Sequence, residues 1–194
     1  MKKRAEKTQD KLYQRNEKIL TIFGIFYILI GVLALANSFY IENPSQIFWL
    51  CYISVFIIGI GLTTRNSLLL AAQLNILIIP FLFWNVDFFY NLIFQKPLLG
   101  IADYFFWEGF SNLSKFITLQ HIYTIPLTLY FIHLIRLKRK DAWKISLFEI
   151  ALIFILVNLI IPKDNNINCV FYPCINVNTI IPYKIAWIAG FSLI

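Results

Sequence analysis

"ILTIFGIFYILIGVLALANSFYI", residues 19–41, decides the fold. It holds no charged side chain and is longer than the roughly 18 residues that mark a spanning helix. Directly before it stands "MKKRAEKTQDKLYQRNEK", residues 1–18, which is strongly polar and rich in Lys and Arg. A basic segment feeding an apolar run of this length reads as a cytoplasmic tail entering a membrane helix.

Working outward, the whole chain repeats this character. Of 194 residues, 59% are hydrophobic and 14% charged, with a mean hydropathy of +0.71. Soluble domains carry about 25% charged residues, and a water-soluble fold of this size cannot hide so much apolar surface. Residues 47–64, 67–84, 116–135 and 145–162 read as further spans, and 181–194 opens a sixth. That last run covers only about 21 Å as a helix, against a hydrocarbon core of roughly 30 Å, so it is short, tilted or incomplete. The expectation is an all-α, polytopic integral membrane bundle of about six transmembrane helices. A basic tail (1–18) precedes a single membrane-embedded domain (19–194), with no repeat and no separate soluble domain.

Charge orients the spans. With the N-terminus inside, the inner side collects Lys2, Lys3, Arg4, Lys7, Lys11, Arg15, Lys18, Arg65, Arg136, Lys138, Arg139, Lys140 and Lys144. The outer side keeps Lys96, Lys115, Lys163 and Lys184. Lys and Arg concentrate in loops that remain cytoplasmic, so the N-terminus is placed in the cytoplasm and the protein in the cell membrane. The same rule argues against a full span in residues 85–115, which would export "RLKRK" (136–140). That stretch reads as aromatic-rich outer interfacial segments, with a re-entrant hairpin turned by Pro97 and Gly100 as the rival. Ala34-Leu35-Ala36 also fits the small-residue pattern of a signal-peptidase site.

Cys169 and Cys174 bracket "VFYP" on the outer side, where an oxidising compartment favours a disulfide. Two thiols alone make a poor metal site, and no metal or cofactor is expected. Cys51 reads as a small packing residue. Asn112-Leu113-Ser114 fits the N-glycosylation sequon. Gly24, Gly31, Ala34 and Ser38 on the first helix, and Cys51, Ser54 and Gly61 on the second, are small residues that let helices approach closely.

Polar residues inside the spans are the place to look for function. Ser114, Thr118, His121, Thr124 and Thr128 recur at spacings of three and four, which puts them on one helical stripe. Pro126 is expected to kink this helix and free the carbonyl of Ile122. His133, beside Arg136, reads as interfacial. Gln73, Asn75 and Asn158 on other helices are candidates, with Thr118, to line a polar pocket around His121. Glu149 lies about a turn inside the cytoplasmic boundary, where Lys144 or a base of the fourth helix is the expected partner.

Sequence carries no P-loop, zinc-protease or Gly-x-Ser-x-Gly signature. As a general base, His121 would activate a hydroxyl or thiol within hydrogen-bond reach. Thr124, Thr128, Ser54 and Cys51 are the candidates for that nucleophile. Several near-equal spans, a basic inner tail and a mid-helix histidine followed by proline, "QHIYTIPL" (120–127), resemble the androgen-inducible/FAR-17a family. The resemblance implies a multi-span threonine hydrolase of fatty-acid esters of hydroxy fatty acids, and it carries over His121. The family's threonine lies early in the chain near a helix end. Here the second helix begins "QIFWLCYIS" (46–54) without one, while Thr63 and Thr64 stand at its far end.

Three readings follow. The chain is an intramembrane lipid or ester hydrolase or acyltransferase using His121, a small-solute transporter or binding protein, or a non-catalytic membrane assembly partner. Its expected partners are membrane lipids and a lipid or small-molecule ligand, not nucleic acid.

Overall fold

A computed structural model describes residues 2–136 and 141–174, with side chains described from Asn16 onward. The sixth span, 181–194, and the basic residues Lys138, Arg139 and Lys140 lie outside the described residues. Every regular element among the described residues is helical: α1 (Lys2–Tyr40), α2 (Leu50–Thr63), α3 (Ser67–Phe94), α4 (Asn112–Thr118), α5 (Gln120–Ile135) and α6 (Ala142–Ile160). Short 3-10 turns stand at Pro44–Phe48, Asp103–Phe106, Lys163–Asn165 and Ile167–Cys169. Among the described residues, three helical stretches are long and apolar enough to cross a membrane: Asn16–Tyr40, Ser67–Phe94 and Ala142–Ile160. The apolar α2 is shorter, as is α5.

Chain direction alternates. Gly24 of α1 faces Thr63 and Gly59 of α2, and Gly31 faces Phe56, so the two helices run antiparallel. Their backbones nearly touch. A Cβ on Gly59 would stand 2.7 Å from the Ile28 backbone nitrogen, and one on Gly24 would stand 2.6 Å from the Thr63 methyl. The small residues of α1 therefore serve close packing, as the sequence pattern suggested. Tyr27, Ile58, Leu62, Leu70, Phe131, Ile150 and Val157, from all the long helices, close the common core.

Arg65 fastens one end of the bundle. It sits at φ 58° in the α2–α3 turn, where Asn66 then caps α3 by accepting from the N–H groups of Leu68 and Leu69. The Arg65 guanidinium donates to the carboxylate and carbonyl of Glu17, to the Thr21 hydroxyl, and to the carbonyls of Leu62 and Thr63. One planar fork thus ties α1 to the α2–α3 turn.

Two boundaries differ from the sequence reading. The third helix does not end at Trp84 but continues to Phe94, so the apolar Phe88–Phe94 segment belongs to α3. Asp87 is the reason. A carboxylate inside an apolar run reads as the end of a span, but here it is wholly buried and stabilised by hydrogen bonds from the returning loop. The helix break beside His121 also falls elsewhere. Pro126 lies within the continuous α5, and the interruption is at Leu119, between α4 and α5. Residues 95–111 form an irregular loop with a single 3-10 turn.

Candidate functional site

The loop after α3 is assembled on one side chain. Backbone N–H groups of Leu98, Leu99 and Gly100 donate to Asp87 Oδ1 at 2.9, 2.6 and 3.2 Å, and that of Ala102 donates to Oδ2 at 2.7 Å. Gly100 adopts φ 79°, a left-handed conformation that glycine reaches without steric cost. A turn further along, Asn91 Nδ2 donates to Asp103. Trp84 Nε1 donates to the Tyr104 hydroxyl at 3.0 Å. Burial pushes the Tyr104 phenol above its ordinary range, with a further increment from nearby Cys51, so it persists as a neutral hydroxyl.

This loop roofs the histidine. His121 is only 6% exposed, and its ring packs against Phe81 and Trp84 with centroids 4.3 and 4.6 Å away. Trp84 stacks in turn on Phe88, and Phe88 on Phe106 of the loop. His121 Nδ1 lies 2.7 Å from the Thr118 carbonyl. A carbonyl only accepts, so the hydrogen is on Nδ1 and the lone pair on Nε2. The neighbouring Gln120 Nε2, at 3.3 Å from the same nitrogen, is then a contact between two donors.

That bond explains the helix break. In an unbroken helix the Thr118 carbonyl would accept from the N–H of Ile122. Here the Ile122 N–H turns to Leu119 instead, in the tighter 3-10 pattern. The imidazole takes the place of the missing backbone donor. Asn85 of α3 pins the next turn, donating to both the Phe81 and His121 carbonyls at 2.7 and 2.8 Å.

All five residues of the predicted stripe, Ser114, Thr118, His121, Thr124 and Thr128, are buried. Ser114 accepts from Asn37 of α1 and from Ser111, so the sequon's serine is part of the packing. Thr124 donates to Gln120 Oε1 at 3.0 Å. Tyr27 brings its hydroxyl beside Thr124 and Thr128, but neither approach meets hydrogen-bond geometry. Thr128 and Ser54 are buried hydroxyls without a partner, and Cys51 is a buried free thiol. Among the described residues, none of the four nucleophile candidates is hydrogen-bonded to the His121 ring.

Of the expected pocket residues, only Thr118 bonds His121. Gln73 lies eight positions before Phe81 on α3, about 12 Å along the axis. Its Nε2 donates to Glu149 Oε2 at 2.7 Å. Half-buried Asn75 makes no side-chain hydrogen bond among the described residues, and Asn158 donates to the Phe154 carbonyl of its own helix. Glu149 is therefore held by Gln73 and not by Lys144, which pairs with Asp141 at the surface. Below this pair, Ser146 donates to the Ala72 and Ala142 carbonyls, joining α6 to α3. No group of three His, Cys, Asp or Glu gathers into a metal-binding cluster among the described residues.

At the same end as the loop after α3, the segment following α6 is also pinned. Cys169 and Cys174 form the expected disulfide. Asn168 both donates to the Phe48 carbonyl and accepts from the Leu50 N–H, and Asn165 donates to Ser45. Sequence patterns contained no signal for Asp87, Asn85 or Asn168 as organisers, because each acts on backbone far away in the chain.

Comparison with known proteins adds no relative: no protein-family model matches the chain, and no curated protein or solved structure matches it significantly.

Proposed function

We propose that the protein is a six-span membrane protein with its N-terminus in the cytoplasm, acting as a non-catalytic assembly component that presents a rigid outer surface to a partner. The observation that carries this reading is the commitment of His121. Its Nδ1 replaces a helix backbone donor at Thr118, and its ring packs into an aromatic column. A histidine so used locks α5 to α3 beneath the loop that follows α3. The outer loops support the same reading. Holding connecting segments in one conformation costs backbone entropy, and such preorganisation is useful where a partner must recognise the shape.

A second reading, the ester hydrolase implied by the androgen-inducible resemblance, draws on one specific observation. Gln120 touches both His121 and Thr124, bridging a histidine and a threonine of the kind that family uses. One experiment separates the two. The purified protein is treated with a serine/threonine-hydrolase activity probe, beside His121→Ala, while a photo-crosslinker at Trp107, 60% exposed in the outer loop, is activated in intact membranes. The assembly reading expects no covalent labelling and a discrete cross-linked protein. Labelling of Thr124 that vanishes in His121→Ala would replace it with the hydrolase.

Topology is tested separately. Cysteine placed at Lys3 or Lys138 is expected to resist an impermeant thiol reagent in intact cells, and cysteine at Asn112 or Asp164 to react. Reaction at Lys138 together with Asn112 would overturn the six-span count.

A further inference from the structure

The end of the bundle opposite the loop roof carries a groove of about 560 Å³ between the start of the apolar part of α1 and the end of α5. Its walls are Asn16, Leu129, Ile132, His133, Leu134 and Arg136. Phe23 of α1 and Phe131 of α5 meet at 5.0 Å on the core side of this opening, about two helical turns above Asn16.

The lining is divided by chemistry. Leu129, Ile132 and Leu134 supply apolar wall, and Leu129 is half exposed. Asn16, His133 and Arg136 supply the lip. Arg136 ends α5 at φ 65°, and its guanidinium has no hydrogen-bond or ion-pair partner among the described residues. Its five donors are open to a ligand. Among the described residues, no acidic side chain lines the groove. The nearest carboxylate on α1, Glu17, is already held by Arg65 at 2.7 Å. A cation, an imidazole and an amide donor therefore stand above an apolar wall, with no counter-charge among the described residues.

The geometry points to a binding site for one anionic phospholipid. Its phosphate lies against Arg136, with His133 and Asn16 as further donors, and an acyl chain runs along Leu129, Ile132 and Leu134. Arginine suits this task because its planar fork meets phosphate oxygens in pairs. The lipid is preferred to a free phosphate because only a lipid uses the apolar wall. Cytoplasmic leaflets are rich in anionic lipid, and the positive-inside reading puts this end of the bundle there. The site depends on the bundle's lying in a bilayer. It does not depend on whether His121 is structural or catalytic.

The test is native mass spectrometry of the full chain released from nanodiscs of phosphatidylcholine doped with phosphatidylglycerol. Wild type is expected to retain one phosphatidylglycerol in preference to phosphatidylcholine. Arg136→Gln is expected to lower that retention about fivefold, the ratio for losing one cation's attraction at an anionic surface. Lys163→Gln, at the other end, is expected to leave it unchanged. Circular dichroism confirms that each variant is folded. Inorganic phosphate in the buffer is expected not to compete, and competition by it would reassign the site to a free anion. Equal retention of the two lipids by wild type, or unaltered retention by folded Arg136→Gln, would overturn the proposal.

Discussion

His121 and Glu149 are both ionisable, both buried and both carried on helices that pack against α3, yet their surroundings differ. The polar groups that tie His121 to α3 and hold the loop after α3 find partners, although the Tyr27 and Thr128 hydroxyls farther along the stripe do not. Nδ1 has the Thr118 carbonyl, Trp84 has Tyr104, Asn85 has two carbonyls, and Asp87 has four backbone N–H groups. Around Glu149 the count fails. One carboxyl oxygen accepts from Gln73, while Glu149 Oε1 and Gln73 Oε1 have no partner. Two buried acceptors lack a donor. In a membrane, where lipid supplies no hydrogen bonds, the first region holds its shape through its polar atoms. The second holds it through packing, despite them.

The largest expected effect comes from breaking the satisfied side of this contrast at Asp87. Asp87→Ala removes the acceptor of four N–H groups, and hydrogen bonds to a charged group are the strong ones. A loss of roughly 3–5 kcal/mol is expected, read as a fall in thermal midpoint in detergent. It should be accompanied by fast amide exchange at residues 98–102. Unchanged exchange there would show that the loop is held by its aromatic residues instead. His121→Ala comes next, with about 2–4 kcal/mol from the lost aromatic packing and the orphaned Thr118 carbonyl. His121→Phe should recover part of that loss, because it keeps the stacking and forfeits only the donor. Equal stability of wild type and His121→Ala would defeat the structural role.

The unsatisfied side is sharpened by two substitutions at Glu149. Glu149→Ala leaves the Gln73 amide with no partner and is expected to cost about 1–3 kcal/mol. Glu149→Gln supplies an N–H donor where both oxygens lack one, and should be neutral or stabilising. If Glu149→Gln destabilises as much as Glu149→Ala, the carboxylate charge itself is needed, and a cation from elsewhere must face it.

How much of this was legible depends on the range over which each residue acts. The apolar runs and the Ser114–Thr128 stripe follow from helical period, and all five stripe residues are buried. The disulfide follows from a short separation and from a loop that the charge pattern assigns to the outer side. The third span reads as ending at Trp84 because an acid in an apolar run, Asp87, looks like a boundary. Its compensation comes from N–H groups 11 to 15 positions later, which no local pattern reports. Proline suggested a break at 126, yet the helix gives way at Leu119, where a side chain stands ready to replace the backbone donor. Lys144 was the nearest base to Glu149 in sequence, but it points to the surface and Asp141, while Gln73 on another helix reaches the carboxyl.

The smallest effect is expected at the α1–α4 contact, which mixes both regimes in one pair. Asn37 Nδ2 donates to Ser114 Oγ at 3.1 Å, while Asn37 Oδ1 is buried without a partner. Ser114 also accepts from the Ser111 hydroxyl at 2.9 Å, so it stays satisfied if Asn37 is lost. The two ends of one hydrogen bond should therefore respond differently. Ser114→Ala strands the whole Asn37 amide in an apolar setting and is expected to cost about 1 kcal/mol. Asn37→Leu removes the stranded donor together with the orphaned oxygen, leaves Ser114 with Ser111, and should lie within about 0.5 kcal/mol of wild type. Thermal midpoints of the two variants in the same detergent decide the matter. If Asn37→Leu is the more damaging, Asn37 Oδ1 is itself partnered in the folded protein, and this contact behaves like the satisfied groups Asn85 and Asp87.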